Sequence, residues 1–148
     1  MARILILGYG NPLRSDDGLG WRAAEALTRT LALSQVEIIT LQQLTPELAE
    51  TLSRADAVFF LDISRDGQPG ELTCTPVVPD PNGSYSSHHC SPAALLALSQ
   101  QLYGSAPRAF LVSIGGECFE YGEGLSPKVQ EGLPRLVELI EKMVGEMS

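Results

Sequence analysis

Ile4-Leu5-Ile6-Leu7 is an unbroken apolar run that stops at Gly8. A strand with one face in water alternates apolar and polar residues. A run with no polar position reads as buried on both faces, as in a parallel sheet covered by helices. The same kind of run returns at Ala57-Val58-Phe59-Phe60-Leu61, where it stops at Asp62. Val36 to Leu41 and Arg108 to Ile114 are two further strand segments, the last ending at Gly115-Gly116. Between them the period changes. Leu19, Ala23, Leu27 and Leu31 recur at near-helical spacing. Thr45-Pro46-Glu47 combines an N-cap residue, a proline at the first helical position and an acid in the first turn, which predicts a short helix to about Leu52. Ser91-Pro92 repeats that signature ahead of Leu95, Leu98 and Leu102. Ser126-Pro127 opens a last helix with the stripe Val129, Leu133, Leu136, Ile140 and Val144; Pro134 either kinks it or marks where it becomes regular. Glu71 to Val78, punctuated by Pro76 and Pro79, fits an edge strand or hairpin arm and not a central strand. Alternating strands and helices, with no repeat, linker or charge block, predict a single α/β domain over residues 1–148. Its sheet is mostly parallel and twisted, with helices on both faces.

At 148 residues and 44% hydrophobic, the chain can bury a real core. Its net charge of −8, with scattered Lys and Arg, argues against nucleic acid as a partner. Cys74, Cys90 and Cys118 are an odd, widely spaced set that offers neither a disulfide framework nor a CxxC knuckle. The first apolar run is too short for a signal h-region, and no later run approaches the ~20 residues needed to span a bilayer. These features lead us to expect a soluble, cytoplasmic protein, by default a monomer.

In open α/β sheets, ligands bind beyond the carboxyl ends of the strands. The polar residues expected there are Asn11, Asp16 and Asp17 after the first strand and Asp62 after the third. His88 and His89, the only two histidines, lie in a loop just before a helix start. Carboxylates and an imidazole at one sheet edge can bind a divalent transition ion, and imidazole suits Ni, Zn and Cu. Each feature also has a plain reading: Asp16 or Asp17 as a helix cap, Asp62 as a turn former, the histidines as solvated loop. Gly8-x-Gly10 starts like a dinucleotide fingerprint, but Leu13 stands where the third glycine belongs. Cys90 and His89 are sequence neighbours, which rarely suits a nucleophile–base pair. No GxSxG elbow and no HExxH helix occurs.

The opening Gly8-Tyr9-Gly10-Asn11-Pro12-Leu13-Arg14-Ser15-Asp16-Asp17-Gly18-Leu19-Gly20 is similar to the signature GxGNxLxxD(D/E)GxG of the hydrogenase maturation proteases. Leu61-Asp62, then His89-Cys90-Ser91-Pro92-Ala93-Ala94-Leu95-Leu96, and finally Gly124-Leu125-Ser126-Pro127 resemble later family features in the same order. The resemblance runs from residue 3 to about 140. It implies an endopeptidase that removes the C-terminal extension of a nickel-loaded nickel–iron hydrogenase large-subunit precursor. It also implies that Asp17, Asp62 and His89 line the nickel-recognising cleft, with His88 as the fallback histidine. The nickel would be that carried by the precursor, not a resident ion. Either the metal activates a water or polarises the scissile carbonyl, or it positions the tail while Asp17 or Asp16 acts as general base. The loop Pro79 to Ser87 is a candidate grip for the tail. Two rivals remain: a nickel-dependent chaperone of the large subunit that does not cut, and a nucleotide-binding enzyme using the Gly8-x-Gly10 turn.

Overall fold

The computed structural model describes residues 2–31, 34–83, 85–86 and 89–147, with only the backbone described at Tyr85, Ser86 and His89. Among the described residues, seven strands and four α-helices follow one another as β1 (Ile4–Tyr9), α1 (Leu19–Thr30), β2 (Val36–Leu41), α2 (Ala49–Ser53), β3 (Ala57–Pro69), β4 (Leu72–Val77), β5 (Tyr85–Ser86), β6 (His89–Cys90), α3 (Pro92–Tyr103), β7 (Arg108–Gly115) and α4 (Pro127–Met147). The main sheet has the order β2-β1-β3-β7-β4. Its first four strands are parallel, and β4 runs antiparallel along the outer side of β7.

The unbroken apolar runs are explained by two separate cores. Ile4, Ile6, Phe59 and Leu61 pack on one face against Leu19, Ala23 and Leu27 of α1 and Val129, Leu136, Ile140 and Val144 of α4. Leu5, Leu7, Val58 and Phe60 face the other way, against Ala49 and Leu52 of α2 and Leu95 and Leu96 of α3. Alternate residues of one strand thus serve opposite layers, which leaves no polar position.

Several sequence expectations are corrected. β3 does not stop at Asp62. It continues to Pro69, and only its partner β1 ends, the last β1–β3 pair being Gly8 with Leu61. Thr45 makes no side-chain cap; Pro46–Leu48 is a 3-10 turn that leads into α2. Ser91 does cap α3, its hydroxyl accepting from the Ala94 N–H at 3.2 Å. The buried side of α3 is Ala94, Leu95, Leu96, Ala97 and Ser99, whereas Leu102 is 64% exposed. Pro134 neither starts nor interrupts α4, which is helical from Pro127.

The glycines of the first loop let α1 lie directly on the strand ends. A Cβ on Gly20 would sit 2.6 Å from both Leu61 O and Tyr9 N, and a Cβ on Gly8 would overlap Gly20 O. Backbone is on both sides, so nothing can yield cheaply. Gly20→Ala is expected to destabilise the fold by roughly 3 kcal/mol, the upper range of overpacking in a tight core. A urea midpoint equal to wild type would contradict this account of the contact.

Candidate active site

The chain passes from β1 to β2 on one side and then returns to place β3 on the other side of β1. That reversal leaves a crevice at the carboxyl ends of β1 and β3, the place where open α/β sheets bind ligands. A cleft of about 330 Å³ opens there, lined by Asp17, Asp62, Ile63, Ser64, Arg65, Asp66, Leu111 and Ser113. A second groove of about 400 Å³ lies at the opposite, amino end of the strands, among Arg3, Gln35, Glu37, Thr51 and Arg54. Despite its larger volume it brings together no acid–base or ligating set beyond the exposed Arg54–Glu50 ion pair, so the chemistry belongs to the first.

Asp17 reaches the cleft from a 3-10 turn, Ser15–Gly18, between β1 and α1. Its Oδ2 accepts the Asn11 N–H at 2.8 Å, which ties the end of the loop back onto its start. Gly10 takes a φ of +132°, and a Cβ there would overlap the Asp17 carbonyl. The Asn11 side chain accepts from Leu13 N at 2.9 Å, closing an Asx turn. Trp21, from the first turn of α1, donates its indole N–H to Gly10 O at 2.9 Å and to Leu41 O at 3.1 Å. Gly8 and Gly10 therefore serve close chain packing, which answers the dinucleotide reading in physical terms.

Asp62 lies one residue beyond the end of β1 pairing. Its Oδ1 accepts the N–H of the next residue, Ile63, at 2.8 Å. Burial pushes its carboxyl up to about 7; the Asp17 charge adds to the rise, while the Ile63 N–H and Arg65 oppose it. Burial, and then the Asp62 charge, also drive the Tyr9 phenol well above its ordinary 10. A buried carboxyl raised further by a neighbouring carboxylate at a switch point is suited to hold a proton or a cation.

Asp16 has a different role from either expected for it. It neither caps α1, whose N-cap is Gly18 without a side-chain bond, nor reaches the cleft as a base. Its carboxylate is fully buried. It accepts from Glu117 N (2.8 Å), Cys118 N (2.9 Å), Ser126 N (2.7 Å) and the Ser126 hydroxyl (2.7 Å). Burial alone would raise its carboxyl, but these four donors outweigh that and hold it below the usual carboxylate range. Asp16 fastens the connection between β7 and α4 onto the first loop. The partners sit about a hundred residues away, so no local signal could have separated Asp16 from Asp17.

The backbone of His89 forms a two-residue ladder, pairing with Ser86, and the following Cys90 N–H donates to Leu44 O at 3.2 Å. This fastens the segment beside the chain that leaves β2. The His89 side chain and all of His88 lie outside the described residues. Among the described residues no group of three His, Cys, Asp or Glu side chains is close enough to hold a metal ion. Cys90 is buried in the second core, and burial pushes its thiol up, so it cannot serve as a nucleophile. No sequence signal singles out the Tyr9 phenol beside Asp62 or the Trp21 clamp on the first loop.

No protein-family model matches the chain. It is similar to the coenzyme F420 hydrogenase subunit delta of Methanothermobacter thermautotrophicus, with 28% identity over 97% of this chain and 96% of that protein. It superposes on the hydrogenase maturating endopeptidase HybD from E. coli with a TM-score of 0.80 and 26% identity, covering 99% of this chain and 94% of that one. The likeness to a hydrogenase maturating endopeptidase thus runs over nearly the whole chain, in sequence and in fold. The fold is also that of the nickel–iron hydrogenase maturation protease HycI from Thermococcus kodakarensis, with a TM-score of 0.78 at 24% identity over 97% of this chain and 93% of that one. Among the described residues, no helix is long and apolar enough to cross a membrane.

Proposed function

We propose that the protein is the endopeptidase that removes the C-terminal extension of a nickel-loaded nickel–iron hydrogenase large-subunit precursor. One observation carries the reading: a chain that superposes end to end on a hydrogenase maturating endopeptidase sets two coupled carboxylates, Asp17 and Asp62, at its switch-point cleft. We place its action in the cytoplasm, by a monomer that docks transiently on the precursor.

In this reading the nickel arrives with the substrate, and Asp17, Asp62 and His89 supply the oxygen and nitrogen donors that complete its coordination. A cation between the carboxylates would offset the burial, and the lesser Asp17 charge, that raise the Asp62 carboxyl. Water then adds to the scissile carbonyl carbon. Its proton passes to a cleft carboxylate, the C–N bond breaks, and the departing amine takes a proton. With Asp16 fully engaged by its four donors, that proton falls to a carboxylate lining the cleft, Asp17, Asp62 or Asp66.

Incubation of the pure protein with nickel-loaded and with metal-free precursor, followed by intact mass, tests the proposal. The expected result is a single C-terminal cut in the loaded precursor alone. Asp17→Asn and His89→Ala are expected to slow it by at least ~100-fold, as loss of a general base or metal ligand does. Binding of the loaded precursor with no change in mass would replace the protease by the chaperone.

A further inference from the structure

The main sheet divides at its carboxyl end. β1 stays with β2: Tyr9 pairs with Leu41, and Gly10 N donates to the Leu41 and Gln42 carbonyls at 3.2 and 3.1 Å. β3 stays with β7, pairing Asp62 with Ser113 and Ser64 with Gly115. From Asp62 onward, no strand among the described residues pairs with the side of β3 that β1 has left. That side opens into the cleft, which the consecutive residues Asp62 to Asp66 line. Ser64 O accepts from Gly116 N at 2.8 Å, so the backbone of Ser64 turns to β7. Backbone groups of successive strand residues point to opposite sides, so those of Ile63 and Arg65 turn to the open side. Ile63 N is already taken by Asp62 Oδ1 at 2.8 Å. The Ile63 carbonyl and the Arg65 N–H face the gap with no neighbouring strand to answer them.

We propose that the C-terminal extension of the precursor binds as an added strand along Ile63 to Arg65, parallel to β3, in the place that β1 vacates. The inference rests on the endopeptidase reading and deepens it. A strand edge presents main-chain donors and acceptors, and an extended peptide is what completes them. One residue of the tail, opposite Ser64, donates its N–H to Ile63 O and accepts at its carbonyl from Arg65 N, the bond pattern of a parallel pair. An antiparallel pair at Ile63 would need the N–H that Asp62 already holds. Asp62 immediately precedes this edge and Asp17 lines the same cleft, so a tail added here runs past both carboxylates. A tail still packed within a fold cannot make these bonds, so the edge takes only a segment that is free to extend.

The test uses a synthetic peptide carrying the precursor's C-terminal extension and the residues just before the cut, methylated in turn at each backbone nitrogen. Methylation removes one N–H and leaves every side chain in place. Binding to the wild-type protein is expected to weaken about tenfold where the methylated N–H faces β3, and to stay within about twofold at the residue on either side. On the protein, Arg65→Pro removes the edge N–H and should raise KM for the nickel-loaded precursor about tenfold, whereas Arg65→Ala keeps it and should stay within about threefold. Thermal midpoints show whether Arg65→Pro folds; if it does not, the methylated peptides decide the matter on wild type. A peptide indifferent to the position of methylation, or one that does not bind at ~1 mM, overturns the added strand even if the precursor is cut. Equal KM for the two variants, both folded, overturns it as well. If the alternating pattern appears and wild type leaves the loaded precursor uncut, the added strand stands and the protease reading falls.

Discussion

Asp62→Asn is expected to make the protein more stable at pH 8 and to abolish its cutting. The folded chain holds the Asp62 carboxyl at about 7 against an ordinary 3.8. Below about pH 4 the group is protonated in both the folded and unfolded chain and costs nothing. Between 4 and 7 the unfolded chain releases the proton while the folded chain retains it, so stability falls as pH rises. Above 7 the full penalty is present. A tenfold change in proton affinity is worth ~1.4 kcal/mol, so the ceiling is ~4 kcal/mol. The cleft is open to solvent, and a gain of ~2 kcal/mol is the realistic expectation. Asparagine keeps the side-chain oxygen that accepts from Ile63 N, so no new unsatisfied donor offsets it. Urea unfolding of wild type and variant at pH 5 and pH 8 measures the effect. The variant should gain more at pH 8; equal or lower stability there would refute the assignment of strain to this carboxylate. A site that is stabilised when its function is removed is the expected signature of a functional group held against its own preference.

Asp16, one residue from the other partner of that pair, should behave in the opposite way. Asp16→Asn replaces one acceptor oxygen by an NH2 group facing donors that need an acceptor: Glu117 N, Cys118 N and Ser126. Leaving buried donors unpaired at a site built for a charge costs roughly 3 kcal/mol. The folded state holds Asp16 below its ordinary range. Its contribution is therefore complete above the unfolded value near 3.8 and is lost as pH falls through the lower folded value. Wild type should lose stability on acidification below pH 4 more steeply than the variant, which has already lost it. A urea midpoint at pH 7 within experimental error of wild type would show that the four hydrogen bonds contribute little.

The difference between these two aspartates marks what could be read from sequence. The strands at Ile4 and Ala57 were legible because burial on both faces leaves a run without polar breaks. β4 was legible as an edge because Pro76 cannot serve a central ladder. The far half of β3 was not. Past Asp62 it has lost β1 as a neighbour, and Ser64, Arg65 and Asp66 carry no burial signal. Leu102 continues the period of α3, but the chain turns at Gly104, which takes a left-handed φ of 78°. The placement of Asp17 and Asp62 at the carboxyl edge of the sheet was legible because both follow strands. That Asp16 turns inward and Asp17 outward depends on residues 117–126 folding back, and adjacent identical side chains leave no trace of that choice.

The chain has a single tryptophan, and Trp21 sits where it fastens the Asp17 loop to the end of β2. Its indole N–H is shared between the Gly10 carbonyl of that loop and the Leu41 carbonyl of β2. Indole emission depends on that kind of polar contact, so all of the protein's tryptophan fluorescence originates beside the loop that carries Asp17 to the cleft. Occupancy of the cleft can be followed optically in the unlabelled native chain, with no background from elsewhere in the fold.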